Sequence, residues 1–269
     1  MSSNPEKINY AEVLGFHSVA AAVVFAALYI PLLGWFIRQS YFRPTYVHFV
    51  LVFFCTIRIA GFAIRAVLAG SSTAGGNLGL VIADEVLFGV GYFGLLYSAY
   101  TLVLDLELLC GSPPPKTPLL TLIKNRRIFR LTMIVAVVLG VSAATHNNGQ
   151  GNAAATLHKV SVIIFFVLTV LQAFQTILLV RMESGGKNQY LEGQKSLGKK
   201  HGLIILLGIS ALLLVREGFS LATISSSTKQ DNEHLWYPLL ALPEILAVVL
   251  YATPGLVPKR DELPSPQQV

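Results

Sequence analysis

Seven apolar stretches, each long enough to cross a lipid bilayer as a helix, constrain this chain more than any other feature. They cover residues 11–37, 45–69, 77–104, 128–144, 157–180, 201–224 and 235–257. A hydrocarbon core about 30 Å thick takes about 20 apolar residues per helical span. The stretches lack turns at strand-length spacing, so the helix is the form that satisfies their backbone polar groups inside the bilayer. We therefore predict an all-α, polytopic membrane protein, a seven-transmembrane-helix bundle over residues 11–258.

The composition leaves little room for anything else. Charged residues make up 13% of the chain and hydrophobic residues 54%, whereas soluble domains carry about 25% charged residues. A separate soluble domain is therefore not expected. The net charge of +6 indicates membrane topology rather than nucleic-acid binding, because Lys and Arg accumulate in cytoplasmic loops.

Basic residues fall in alternate loops, which predicts the orientation of the bundle. Most Lys and Arg residues outside the spans follow the first, third and fifth stretches or lie in the tail: Arg38, Arg43, Lys116, Lys124, Arg126, Arg127, Arg130, Arg181, Lys187, Lys195, Lys199, Lys200, Lys259 and Arg260. The positive-inside rule then predicts an extracytoplasmic N-terminus, residues 1–10, and a cytoplasmic tail, residues 259–269. The basic loops either set topology alone or also contact anionic lipid headgroups. The membrane itself, plasma membrane or the endomembrane of vacuole or ER, is not specified.

Ionisable residues inside the spans mark the candidate site. They are Arg58, Arg65, Asp84, Glu85, Arg216, Glu217 and Glu244. A charge at the centre of a bilayer costs about 2.5–3.5 kcal/mol on insertion scales, so such residues usually face the interior of a bundle and pair there. The predicted orientation places all of them in one layer in the outer half of the membrane.

Two interpretations of this layer remain open. In the first, interhelical ion pairs fix the packing and do nothing else, since the Arg fork matches a carboxylate. In the second, the layer lines a polar cavity that opens to the outside and binds a headgroup, an ion or a proton. Four further side chains near the layer are candidates for the cavity lining: His17, Tyr92, Trp236 and Tyr237.

Several chemistries have no pattern to support them. The histidines of the outer side, His17, His146, His158 and His234, form no His-x-x-x-His pair, so we predict no metal, haem or other cofactor. The spans hold no lysine for a retinal Schiff base, apart from Lys159 at the edge of one. Gly-x-Ser-x-Gly and phosphate-loop motifs are absent. An intramembrane zinc hydrolase is disfavoured, because His48 and His201 lie at the opposite face from the acids. The chain is therefore not predicted to be an enzyme.

Short motifs give the chain a resemblance to known families. They lie at residues 58–61, 129–131, 216–220, 236–238, 242–244 and 254–258, and include Arg-Glu-Gly-Phe-Ser and Leu-Pro-Glu. The whole pattern resembles a fungal seven-helix membrane protein family of unknown function. The stretch over the sixth and seventh spans is similar to the RTA-like family, the lipid-translocating exporters. That resemblance implies a plasma-membrane or vacuolar protein tied to amphiphile resistance or lipid asymmetry.

Three functional hypotheses follow. The leading one is a membrane protein that binds or translocates an amphipathic small molecule or lipid, with Arg58 and Arg216 pairing with acids or holding an anionic headgroup. Glu244 or Glu85 would be its titrating group. A seven-helix receptor or sensor is the second, although Leu104-Asp105-Leu106 stands where receptors carry Asp-Arg-Tyr. A structural membrane protein with a fully paired charge layer is the third.

Overall fold

The structure, a computed structural model, describes residues 9–109, 124–145, 151–185, 201–226, 230 and 232–258. Over these residues the chain is helical and contains no strand. Seven helices are long and apolar enough to cross a membrane, which confirms the predicted fold class. They are α1 (Val19–Phe42), α2 (Tyr46–Gly70), α3 (Leu78–Leu109), α4 (Arg126–Thr145), α5 (Gly151–Gly185), α6 (Gly202–Thr223) and α7 (Glu233–Tyr251).

The first span begins later than its apolar pattern predicts. The pattern starts at residue 11, but the structure has a separate short helix, Tyr10–Val13, and α1 begins only at Val19. The chain turns between them at Gly15, whose φ of 82° is a conformation that glycine adopts without steric cost. The predicted boundary was wrong because hydropathy does not register a turn inside an apolar run.

A carboxylate from the other end of the chain holds this turn in place. Glu233, the first residue of α7, accepts hydrogen bonds from the backbone N–H groups of His17 and Ser18, at 3.1 and 2.9 Å. The Ser18 hydroxyl then caps α1 by accepting from the N–H of Ala21 at 3.2 Å. The start of α1 is thereby tied to the start of α7.

Packing follows chain order, with α3 in the middle of the bundle. Neighbouring helices pair along the sequence, and α3 also touches α5 and α6. Every α3 residue from Tyr97 to Leu104 is buried. A helix that is apolar on all sides is buried on all sides, which explains the central position of α3.

The seventh helix changes its pitch just before Glu244. Residues Tyr237–Ala241 form a π-helical turn, and Leu242, Pro243 and Glu244 follow it. Pro243 has no N–H to donate and its ring crowds the preceding turn, so the widened turn gives the ring room. Single π turns occur often at functional sites.

Two basic residues at the opposite end of the bundle are paired with acids. Arg126 Nη2 lies 2.6 Å from Asp105 Oδ1, and Lys124 forms an ion pair with Glu107. These contacts join the end of α3 to the start of α4. Several predicted loop residues lie outside the described residues. They are the basic residues of the loop after α5 from Lys187 onward, the basic residues of the tail, and His146. The orientation of the termini stays a prediction.

Candidate functional site

Four helices bring the predicted charges together inside the bundle. Arg58 on α2 and Glu244 on α7 form its most enclosed pair, and both side chains are fully buried. Arg58 Nη2 donates to Glu244 Oε1 at 2.8 Å, and Arg58 Nε lies 2.7 Å from Glu244 Oε2. The Nη2 contact is a charge-assisted hydrogen bond, which is stronger than a neutral one, and the Nε contact is a close ion pair without hydrogen-bond geometry.

The remaining faces of Arg58 are also occupied. Its Nη1 and Nη2 donate to the backbone carbonyls of Leu87 and Phe88, at 3.2 and 3.1 Å. The guanidinium carbon lies 4.9 Å from the Phe54 ring centroid and 4.5 Å from that of Phe88. A Cβ added at Gly91 would sit 2.8 Å from Nη1, so α3 approaches Arg58 too closely for a side chain at Gly91.

Glu244 also connects Arg58 to a second arginine. Arg216 on α6 donates from Nε to Glu244 Oε1 at 3.0 Å, and its Nη1 donates to the neighbouring Glu217. The Tyr92 ring of α3 stacks under Arg216, with 4.0 Å between the guanidinium carbon and the ring centroid. The four ionisable residues form one network of two positive and two negative formal charges, which balances the charge that burial makes costly.

Arg65 and Asp84 form a separate pair nearer the N-terminal segment. Both Nε and Nη2 of Arg65 donate to one carboxylate oxygen, Asp84 Oδ2, at 3.2 and 2.8 Å. Arg65 is 5% exposed and Asp84 1%. The guanidinium is stacked on Trp236 at 3.6 Å and flanked by Phe16 at 4.5 Å. Among the described residues, Arg65 Nη1 and Asp84 Oδ1 have no hydrogen-bond partner.

A cavity of about 540 Å³ lies against both groups of charges. It is partly open and sits between α3, α4, α5, α6 and α7, at the end of the bundle that carries the N-terminal segment. Glu85 and Tyr92 both line it, and a helix rises about 10 Å over that seven-residue interval. The cavity therefore extends roughly two helical turns into the bundle.

The structure distributes the predicted site residues unevenly around this cavity. Five of the seven charged residues line it: Arg65, Asp84, Glu85, Arg216 and Glu217. Arg58 and Glu244 belong to the network behind its wall. Of the four candidate lining side chains, Tyr92 and Trp236 line the cavity, while His17 and Tyr237 lie outside its lining.

The predicted lining residues that lie elsewhere have other contacts. His17 is exposed, and its backbone N–H is held by Glu233. The Tyr237 ring stacks on Phe25 of α1, with 5.3 Å between ring centroids. Glu85 lines the cavity as predicted but is exposed, unlike its buried neighbour Asp84, because adjacent helical positions point about 100° apart.

Six polar residues of the lining were not in the predicted set: His158, Lys159, Ser161, Ser220, Ser225 and Gln230. Ser220 follows Arg216 by four residues, so both lie on one face of α6, and that spacing was readable from the sequence. Lys159 was interpreted as a membrane-edge residue. No spacing rule links α5 to the acids of α3, so its place beside them required the tertiary structure.

Within the described part of the chain, no group of three His, Cys, Asp or Glu side chains is placed to hold a metal ion.

No protein-family model, curated protein or solved structure matches the chain. The resemblance to RTA-like exporters and to the fungal family therefore stays a hypothesis. Fold and site define a multi-pass integral membrane protein with buried interhelical ion pairs.

Proposed function

We propose that this protein binds an amphipathic small molecule or lipid in the cavity, with the headgroup at the charged layer, and that translocation of this ligand is its activity. The observation that carries the proposal is the cavity itself: about 540 Å³, partly open, and in contact with charged residues of α2, α3 and α6. Ligand pockets in proteins commonly measure about 300–1,000 Å³.

The walls of the cavity differ in the way an amphiphile requires. The α4 wall is formed by small and aliphatic residues, Val137, Gly140, Val141, Ala143 and Ala144. The opposite side carries the buried charges described above. An acyl or other apolar chain packs against such an aliphatic wall as it does against lipid tails, while a polar headgroup gains charge-assisted hydrogen bonds from the ionisable groups.

A purely structural role is the second candidate, and one observation favours it. Arg58, Arg216, Glu217 and Glu244 balance one another's charge within a single hydrogen-bonded network. Such a network fixes the relative positions of α2, α6 and α7 without a ligand. The two roles are separated by whether an amphiphile enters the cavity, because a structural network predicts no specific occupant.

The chain provides a built-in reporter for that question. It contains two tryptophans, of which Trp236 lines the cavity and is 5% exposed. In a W35F variant Trp236 is the single tryptophan. An amphiphile with brominated chains, titrated into the protein in an uncharged detergent, is expected to quench Trp236 fluorescence saturably, and an unbrominated analogue is expected to reverse the quenching.

The matched control is a W236F variant, in which Trp35 reports from outside the cavity lining. Trp35 is expected to show weak quenching that rises with concentration and does not saturate. If no amphiphile quenches Trp236 more than Trp35, the binding proposal is wrong and the structural role accounts for the charge layer.

A further inference from the structure

The charges that line the cavity are balanced, and this limits the kind of headgroup that fits. Among its Lys, Arg, Asp and Glu residues, the described lining contains three basic and three acidic side chains: Arg65, Lys159 and Arg216 against Asp84, Glu85 and Glu217. A headgroup with a net charge would therefore enter a site that holds no compensating net charge. In a low-dielectric interior an uncompensated charge is costly.

Not all of these groups are equally free to meet a ligand. Arg216 is occupied by Glu217, Glu244 and the Tyr92 ring. The Arg65–Asp84 pair differs, because its contacts all converge on one carboxylate oxygen. That leaves a donor, Arg65 Nη1, and an acceptor, Asp84 Oδ1, without a partner among the described residues. Both side chains are more than nine-tenths buried and both line the cavity.

The two atoms themselves are enclosed, so a ligand meets them only when the Arg65 and Asp84 side chains turn toward the cavity. Such a ligand has to accept at one point and donate at a neighbouring one. Buried polar atoms are seldom left without a hydrogen bond, and hydrogen bonds to charged groups are about twice as strong as neutral ones. Glu85 adds a second carboxylate one residue after Asp84, and Lys159 adds a second cation, both exposed at the cavity. Each sign is thus present more than once in the lining of the cavity.

We propose that the cavity selects a zwitterionic headgroup of the aminoalkyl phosphate type, with the phosphate at Arg65 and the ammonium at Asp84 and Glu85. This deepens the proposed function and rests on it. The same headgroup chemistry occurs in membrane lipids and in small soluble zwitterions. A headgroup without apolar chains would leave the aliphatic α4 wall without a contact, so we assign the ligand as a lipid.

The test uses the single-tryptophan W35F protein with amphiphiles that share brominated chains and differ in headgroup: aminoethyl phosphate, phosphate monoester and quaternary ammonium. The zwitterionic amphiphile is expected to bind about tenfold more tightly than either charged one, because a singly charged headgroup lacks one of the two charge–charge attractions. At about 10 Å and an effective dielectric constant of about 20, one such attraction corresponds to roughly a factor of ten. Soluble glycerophosphoethanolamine, which carries the same zwitterionic phosphodiester group without chains, is expected not to displace the zwitterionic amphiphile.

Two exposed residues allow the selectivity to be shifted in opposite directions without touching the buried pairs. E85Q leaves the lining with a net positive charge and is expected to improve binding of the phosphate monoester relative to wild type. K159Q leaves a net negative charge and is expected to improve binding of the quaternary ammonium amphiphile. Both variants lose selectivity for the zwitterion, and each serves as the matched control of the other.

The possible outcomes separate this inference from the proposed function. Saturable quenching of Trp236 with no dependence on headgroup, or with a preference for one charged headgroup in the wild type, overturns the zwitterion assignment and leaves amphiphile binding standing. Displacement by soluble glycerophosphoethanolamine overturns the assignment to a lipid. The absence of quenching by all three amphiphiles overturns both proposals together.

Discussion

Replacing Glu244 by Gln is expected to destabilise the protein more than any other single loss of a carboxylate. Glu244 holds two arginines: Arg58 through contacts of 2.7 and 2.8 Å, and Arg216 at 3.0 Å. In E244Q, Glu217 is the remaining acid of the network, which leaves one positive charge uncompensated. Breaking a buried pair costs about 3–5 kcal/mol. At about 2–4 °C per kcal/mol for a chain of this size, Tm falls by about 6–20 °C.

A buried thiol gives the assay. Cys55 is fully buried, so in a C110S background a thiol-reactive dye labels the protein only as it unfolds on heating. E233Q is the matched control, because it removes a carboxylate from the exposed start of the same helix. The R58Q/E244Q double variant restores the charge balance, and its loss of stability is expected to be smaller than the sum of the two single losses by about 1–3 kcal/mol. Additive losses, or an E244Q protein as stable as E233Q, would refute the account of the network.

Two further predictions concern close approaches of the backbone. G91A places a Cβ 2.8 Å from Arg58 Nη1 and is expected to lower the free energy of unfolding by about 1–3 kcal/mol. The control is G89A, where a Cβ meets nothing within 4 Å, and it is expected to leave the Tm unchanged or raise it. Equal effects of the two substitutions would contradict the close packing of α3 on Arg58. E233Q is expected to speed amide hydrogen exchange at His17 and Ser18 with little change in Tm, and unchanged exchange would show that Glu233 does not hold the turn.

Much of the fold was predictable because hydropathy and length alone identify membrane spans. All seven spans were found, and the boundaries of α2 match to within one residue at each end. The start of α1 was misplaced because the turn before it is held by a long-range contact. The Glu233 carboxylate accepts hydrogen bonds from the backbone N–H groups of His17 and Ser18. No feature within the local sequence announces that contact.

The candidate site was predictable to the level of a layer and no further. Depth along each helix follows from residue counting, so the sequence placed the ionisable groups of four helices together. Partner choice depends on how each helix is rotated about its axis, and that is set by packing. The sequence therefore did not distinguish Glu244 as the partner of Arg58 from Asp84 as the partner of Arg65, nor predict that Glu85 would be exposed beside Asp84.

The most direct test of the central claim is the accessibility of two adjacent α5 residues to a water-soluble, membrane-impermeant thiol reagent. Val162 lines the cavity, whereas Ile163 is 47% exposed and lies outside the cavity lining. In the C110S background and in a bilayer, V162C is expected to react with the reagent, and a zwitterionic amphiphile is expected to slow this reaction. I163C is expected to react little, because its side chain would face hydrocarbon, and the amphiphile is expected not to change its labelling. A V162C protein as unreactive as I163C, or one whose labelling no amphiphile slows, would contradict the claim that an amphiphile occupies this cavity.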